Sequence, residues 1–106
     1  MARLIWTDEA VSGLRNIHDY IARDRPETAR RTIDSIINKV ESLATYPNSG
    51  RTYPYHGQWQ VKLLPYGSFR IAYLVAEGQA EERRGEEGGD VVILGVFNGL
   101  IFLPLQ

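Results

Sequence analysis

The chain has 106 residues, a formal net charge of −1 and no cysteine. Its length and its hydrophobic content of 43% predict one domain, spanning residues 1–106, with a core of its own. The lack of cysteine excludes a disulfide scaffold and thiolate zinc sites, and no run approaches the ~20 apolar residues of a membrane helix. Residues 1–6 show no signal-peptide pattern, so we expect a cytoplasmic protein without membrane contact.

The first elements are a short strand and an amphipathic helix. Leu4-Ile5-Trp6 is the strand candidate, and either Thr7 or Asp8 can cap the helix that follows. Apolar residues then recur at spacings of four, three and four: Ala10, Leu14, Ile17 and Ile21. This spacing predicts about four helical turns with one apolar face.

A second helix begins at Pro26, a residue suited to the first helical position. Its apolar stripe covers nearly twenty residues: Ala29, Ile33, Ile36, Ile37, Val40, Leu43 and Ala44. Residues 46–50 end it, and the short link between the helices predicts an antiparallel helical hairpin. Residues 51–58 show no periodicity and are expected to form a connection.

Residues 59–75 alternate with a period of two around a Pro-x-Gly turn, which predicts an antiparallel β-hairpin. Directly opposed residues lie on one face, so aligning the two apolar rows requires a five-residue loop, with Gly67 at positive φ. In one such register Lys62 opposes Arg70, and in the other it is diagonal to Arg70. Either register places both cations side by side on the face away from the core.

Two like charges at neighbouring sheet positions destabilise a hairpin by a few tenths of a kcal/mol or more. Two interpretations of Lys62 and Arg70 therefore stay open. Both side chains extend into water, or the pair binds an anion such as a phosphate backbone or an acidic partner.

Residues 77–90 carry a local charge of −4 and four glycines, which predicts a mobile acidic loop, whereas the rest of the chain carries +3. Residues 91–97 are apolar on both faces, which predicts either a central strand that is covered on both sides or a strand that a partner covers. The order is β-α-α-β-β-β. We expect an α+β fold in which the helical hairpin packs on one face of a small, mainly antiparallel sheet.

The order and spacing of several short patterns resemble the ParE/RelE superfamily of type II toxins over nearly the whole chain. These patterns are Trp6-Thr7-x-Glu9-Ala10, Leu14-x-x-Ile17-x-x-Tyr20-Ile21, Pro26-x-x-Ala29, Leu43-x-x-x-Pro47-x-x-Gly50-Arg51, Phe69-Arg70-Ile71-x-Tyr73 and the strand from Val92 to Val96. The long helical hairpin and the Pro-x-x-Gly-Arg segment are similar to those of the ParE-like branch.

The resemblance implies a RelE/ParE-like fold and a cytoplasmic toxin that a cognate antitoxin neutralises by forming a hetero-oligomer with it. For the ParE-like branch it implies inhibition of DNA gyrase, and for the RelE-like branch cleavage of mRNA on the ribosome. We favour gyrase inhibition by protein–protein contact. The alternatives are a RelE-like endoribonuclease that uses Lys62 and Arg70, and a degenerate, non-toxic homologue.

The RelE-like reaction needs a proton donor and acceptor and cations around one phosphate. Lys62 and Arg70 match that branch, but Gln60 occupies a position where it often has lysine, and Asn98 one where many members have histidine. Neither amide transfers protons near neutral pH. These residues therefore favour a protein that is not an enzyme, and no catalytic residue is assigned.

The candidate partner-binding or anion-binding residues combine cations with the end of the chain. They are Arg51, Lys62, Arg70, Asn98, Leu100 and Phe102. Arg51 has a second interpretation, in which it bonds a carbonyl at a helix C-terminus. The apolar tail at 100–103 either adds a strand to the sheet or recruits a partner. No cofactor or metal is expected, since His18 and His56 lack ligand spacing.

Overall fold

The computed structural model describes residues 1–53, 61–76 and 89–99. In chain order the elements are β1 (Arg3–Trp6), α1 (Asp8–Ala22), α2 (Pro26–Glu41), a 3₁₀ turn (Ser42–Ala44), β2 (Arg51–Tyr53), β3 (Val61–Tyr66), β4 (Phe69–Ala76) and β5 (Asp90–Asn98). Within the described ranges, neither helix combines the length and apolarity that crossing a bilayer would require.

The five strands form one sheet in the order β1-β5-β4-β3-β2. Only the pairing of β1 with β5 is parallel among these strands; the other three pairings are antiparallel. The helical hairpin packs on one side of this sheet. The predicted α+β fold is confirmed.

The hydrophobic core lies between the helices and what we call the inner face of the sheet. Its strand residues are Leu64, Ile71, Tyr73, Val91, Ile93 and Val96, and the helical segments contribute Ala10, Ile36, Val40 and Leu43. Because side chains alternate along a strand, the residues between these inward-facing positions point to the opposite, outer face. This face includes Val61, Leu63, Arg70, Ala72, Leu74, Val92 and Phe97.

Helix α1 is fixed to the sheet at two places. Thr7 is its N-cap: the Thr7 hydroxyl accepts a hydrogen bond from the Ala10 N–H at 3.1 Å and donates to the Ile93 carbonyl at 2.7 Å. At Gly13 the helix backbone meets β5 so closely that a Cβ would collide with the Val96 carbonyl oxygen. The N-cap and this close approach together position α1 across β5.

The β3–β4 turn differs from the prediction. Tyr66 pairs with Phe69, so the loop is the two-residue Gly67-Ser68. Gly67 has φ +61°, as predicted, and is the residue with positive φ in the described part of the chain, which is the pattern of a type II′ turn. The prediction of a five-residue loop is therefore wrong.

Compared with the predicted register, this turn places each side chain of β3 on the opposite face of the sheet. Leu64 pairs with Ile71 and is buried, whereas Leu63 pairs with Ala72 on the outer face. Both rows of β3 contain an apolar residue close to the turn, so the hydrophobic pattern does not choose between them. The tight turn chooses instead, because its twist matches the flanking strands.

A β-bulge in β5 explains why residues 91–97 are apolar on both faces. Tyr73 pairs with Ile93 but Ala72 pairs with Gly95, which leaves Leu94 as an extra residue. The inner row therefore passes from Ile93 to Val96 rather than to Gly95. Without the bulge, Val96 would point away from α1.

Two predicted loop boundaries are also corrected. Residues 51–53, which we expected in an irregular connection, form the edge strand β2 against β3. Asp90, which we placed in the acidic loop, is the first residue of β5, and its carboxylate accepts a hydrogen bond from Arg3 at 3.2 Å. Residues 77–88 lie outside the described residues.

Candidate partner-binding site

Lys62 and Arg70 lie on opposite faces of the sheet. Lys62 pairs with Tyr73, a residue of the inner face, whereas Arg70 pairs with Pro65 and Phe97 on the outer face. The prediction that the two cations are neighbours on one face is therefore wrong in both of its registers. The two-residue turn is the reason, since it shifts the parity of every pair in the hairpin by one.

Lys62 is held at the edge of the sheet. Its Nζ atom donates a hydrogen bond to the Thr52 hydroxyl at 2.8 Å, and Thr52 is its direct partner on β2. The side chain is half-buried. Lys62 thus links β3 to the edge strand β2 on the inner side of the sheet.

Arg70 is held at the end of the β-hairpin. Its Nη1 atom donates to the Phe69 carbonyl at 2.8 Å and to the Gly67 carbonyl at 3.2 Å. The space that a side chain at position 99 would need is filled by Arg70, whose Cγ lies 2.9 Å from an ideal Cβ there. Gly99 in turn donates its N–H to the Ser68 carbonyl at 2.6 Å. These contacts restrict the guanidinium to the outer side of the turn.

Arg51 also lies on the outer face. It pairs with Leu63 on β3, and its side chain is exposed. Among the described residues it makes no hydrogen bond to a helix carbonyl, so the alternative of a helix-capping arginine is not supported. Strand spacing places its Cα about 12 Å from that of Arg70, two strands away. Arg51 and Arg70, rather than Lys62 and Arg70, therefore share a face.

Between and beside these two arginines the outer face is apolar. Its side chains are half-buried and belong to three adjacent strands: Val61, Leu63, Ala72, Leu74, Val92 and Phe97. On the next strand, Ile5 is 36% exposed. Within the described ranges no helix covers this side of the sheet. The arrangement is an apolar surface that carries the side chains of Arg51 and Arg70.

Tyr73 is a contributor that the sequence reasoning did not assign to the site. Its buried hydroxyl donates to the Pro47 carbonyl at 2.9 Å and accepts from the Gly50 N–H at 2.8 Å. A Cβ at position 50 would lie 2.7 Å from this oxygen, so glycine is required there. Burial raises the pKa of Tyr73, and the Gly50 hydrogen bond acts in the opposite direction.

Tyr73 therefore fixes the segment that leads from the helices into Arg51. The family patterns quoted above contain both partners, the Pro-x-x-Gly-Arg segment and the tyrosine of β4. The presence of both patterns in one chain was the sequence signal that could have indicated a contact between Tyr73 and this segment. Only the fold shows that one hydroxyl bonds both ends of that segment.

Asn98 and Arg70 lie on opposite faces of the sheet. Asn98 pairs with Phe69 at the end of β5 and, with residues of α1, lines a groove of about 580 Å³ on the inner side. The other lining residues are Gly13, Asn16, Ile17, Tyr20, Ile21, Phe69, Val96 and Phe97. Leu100 and Phe102, the last two predicted site residues, lie outside the described residues.

The helical hairpin on a mixed five-stranded sheet defines a class of small α+β proteins. A solved structure titled "Chromosomal ParDE TA system from P. aeruginosa" has this fold, with a TM-score of 0.70 and 24% identity over 92% of this chain and 96% of that chain. The family model of the ParE toxin of the type II toxin–antitoxin system parDE matches residues 4–99. The chain belongs to this family.

A curated relative supports the same assignment within the wider superfamily. Toxin RelE2 of Caulobacter vibrioides is 36% identical over 78 residues, which is 74% of this chain and 85% of the relative. The chain is thus a type II toxin–antitoxin toxin of the ParE/RelE superfamily. Membership of this family implies a cognate antitoxin as partner.

Proposed function

We propose that this toxin inhibits DNA gyrase by protein–protein contact through the outer face, and that its cognate antitoxin neutralises it in a hetero-oligomer. The observation that carries the proposal is the separation of Lys62 and Arg70 onto opposite faces of the sheet. A surface that binds a protein does not need these two cations together, whereas a ribonuclease that uses both of them does.

RNA cleavage through a 2′-hydroxyl requires a base, an acid and a cation within hydrogen-bond reach of one phosphate. Lys62 and Arg70 point to opposite sides of the sheet, so they cannot bind the same phosphate. Around Arg70 the described neighbours are Pro65, Phe97 and Gly99, and none of these side chains transfers a proton. The geometry therefore favours a surface for binding over a centre for catalysis.

The outer face has the composition of a protein-binding surface. Interfaces combine an apolar centre with a polar rim, and arginine is among the residues that contribute most to affinity. Here Leu63, Ala72 and Leu74 form part of an apolar centre, with Arg51 and Arg70 on the same side. The two guanidinium groups suit carboxylates or phosphate oxygens, which accept paired hydrogen bonds from arginine.

The direct test measures supercoiling of relaxed plasmid DNA by purified gyrase in the presence of the toxin. We expect inhibition that the cognate antitoxin reverses, and no cleavage of mRNA in a parallel translation assay with ribosomes. Ribosome-dependent cleavage that disappears in Arg70→Ala would contradict the proposal and indicate the nuclease. Growth that is unaffected by induced expression, without inhibition of gyrase, would indicate a degenerate homologue.

A matched pair of variants tests the role of the outer face. Arg70→Gln and Lys62→Gln each remove one charge from the same hairpin, but from opposite faces. We expect Arg70→Gln to weaken gyrase inhibition roughly tenfold, the equivalent of about 1.4 kcal/mol, and Lys62→Gln to change it less than twofold. Thermal unfolding of both proteins controls for loss of fold.

Equal effects of the two substitutions would refute the assignment of the outer face, because they would reflect long-range electrostatic attraction alone. Arg51→Gln extends the test. Since Arg51 shares the face of Arg70, it should also weaken inhibition, and the double variant should be weaker than either single variant.

A further inference from the structure

Arg51 follows a short segment that is bonded to a side chain on the other face of the sheet. Residues 45–50 connect the 3₁₀ turn to β2, and Arg51 is the first residue of β2. The hydroxyl of Tyr73, on the inner face, donates to the Pro47 carbonyl at 2.9 Å and accepts from the Gly50 N–H at 2.8 Å. One atom of the core therefore holds the residue that immediately precedes Arg51.

We propose that Tyr73 is a positioning residue for Arg51. Its hydroxyl fixes Gly50, so that Arg51 starts β2 at a defined place on the outer face, where the partner binds. The role rests on the proposed function, because it assigns Arg51 to the partner-binding surface. Tyr73 itself does not touch the partner in this arrangement, since it is fully buried on the inner side of the sheet.

The surroundings of Gly50 leave little freedom to the residue that follows it. An ideal Cβ at position 50 would lie 2.7 Å from the Tyr73 hydroxyl oxygen and 2.9 Å from the Leu63 carbonyl oxygen. Leu63 is also the direct partner of Arg51 in the pairing of β2 with β3. Gly50 thus lies between the Tyr73 hydroxyl and the strand on which Arg51 pairs. A displacement of Gly50 would therefore disturb the start of β2 and the place of Arg51 on the outer face.

The hydrogen bonds on the two sides of Arg51 differ in their exposure. The next residue, Thr52, accepts a hydrogen bond from Lys62 at 2.8 Å in an exposed position, where water can replace the lysine. Gly50, by contrast, is buried, and its N–H loses its partner when the Tyr73 hydroxyl is removed. The buried bond should therefore control the position of Arg51 more strongly than the exposed one.

A double-mutant cycle in the gyrase assay distinguishes positioning from a general structural role. We expect Tyr73→Phe to weaken inhibition roughly fivefold in the wild-type background but less than about twofold in the Arg51→Gln background. A residue that acts through Arg51 has little further effect once that guanidinium is gone. In the Arg70→Gln background the full loss should remain, although Arg70 and Tyr73 belong to the same strand.

Equal losses in the Arg51→Gln and Arg70→Gln backgrounds would overturn the proposal, and so would the absence of any loss in the wild-type background. Thr7→Ala controls for the stability that Tyr73→Phe removes. It deletes a hydrogen bond to β5, which two strands separate from β2, and it should leave inhibition within about twofold of wild type. A loss as large as that of Tyr73→Phe would show that inhibition follows stability alone and would also overturn the proposal.

NMR relaxation of the backbone amides tests the same role without gyrase. In the wild-type protein Arg51 should have an order parameter of about 0.85, as in a rigid strand, and Tyr73→Phe should lower it toward about 0.6. Residues 69–72 should keep their values. A wild-type Arg51 below about 0.6, or one that Tyr73→Phe leaves unchanged, would refute the positioning role. A wild-type toxin that does not inhibit gyrase would refute the proposed function instead, and the NMR measurement would still decide whether Tyr73 fixes Arg51.

Discussion

The hydroxyl of Tyr73 gives the sharpest test of the physical reasoning. It is the one atom that links β4 to both ends of the Pro47–Gly50 segment within the described structure, and its residue is fully buried. Tyr73→Phe removes this oxygen and leaves the ring in place. The Gly50 N–H and the Pro47 carbonyl then lose their partner.

The expected cost follows from these two hydrogen bonds. A typical intramolecular hydrogen bond contributes about 0.5–1.5 kcal/mol net, and a buried group left without a partner costs about 1–3 kcal/mol. Gly50 is buried, so water cannot simply replace the hydroxyl there. Phenylalanine no longer has to bury a polar group, which offsets part of the loss. We expect Tyr73→Phe to lower the free energy of unfolding by about 2–3 kcal/mol.

Urea unfolding, followed by circular dichroism, measures this change. With a typical slope of about 1–3 kcal/mol per molar, a loss of about 2–3 kcal/mol should lower the midpoint by roughly 0.7–3 M. Tyr20→Phe is the control, because Tyr20 is 71% exposed and the same substitution there should cost less than about 0.5 kcal/mol. A Tyr73→Phe protein as stable as the wild type would refute the argument that this hydroxyl fixes the segment.

The pH dependence of the same pair of proteins adds a second check. Burial raises the pKa of Tyr73 above its ordinary value of 10.0, so the folded state favours the protonated hydroxyl. This contribution is fully present below pH 10.0 and is lost as the pH rises through the pKa of the folded state. The difference in stability between wild type and Tyr73→Phe should therefore narrow above pH 10.0. A constant difference across that range would contradict the assignment.

Two further substitutions test how α1 is positioned. Gly13→Ala should destabilise the protein by about 1–2 kcal/mol in urea unfolding. Alanine favours the helix by about 1 kcal/mol. Its Cβ, however, collides with the Val96 carbonyl oxygen, and such overpacking costs about 1–3 kcal/mol or more. Ser12→Ala, on the exposed side of the same helix, should be neutral or stabilising, and a stabilised Gly13→Ala protein would show that the backbones are not in close contact. Thr7→Ala should cost about 1–3 kcal/mol, since it removes both the helix cap and the bond to β5, whereas Thr7→Ser should restore most of the loss in thermal unfolding.

Local patterns were sufficient for most of the fold. The 3.6-residue stripes predict both helices, Thr7 and Pro26 mark their starts, and the alternation of Phe69, Ile71 and Tyr73 identifies the buried row of β4. Each of these signals depends on residues that are close together in sequence. The same local patterns predict the order β-α-α-β-β-β, to which the structure adds the edge strand β2. The family patterns predicted the superfamily, which the comparisons confirm.

The site depended on features that are not local. The face of Lys62 follows from the length of the β3–β4 loop, and the Pro65–Ser68 stretch is compatible with more than one loop. Strand β2 is only three residues long and acquires its structure from pairing with β3, so no periodicity marks it. Sequence reasoning therefore named Arg51 and Arg70 as candidates but grouped Arg70 with the wrong cation.

The amino-acid sequence alone determined which segments are helices, which row of β4 is buried and to which superfamily the chain is similar, because apolar periodicity and capping residues act within a few positions along the chain. Tertiary structure decided the register of the β-hairpin, the bulge at Leu94 and hence which cations share a face. A change of one residue in pairing moves every side chain of a strand to the other side of the sheet. The geometry of the two-residue turn fixes this pairing in the β-hairpin.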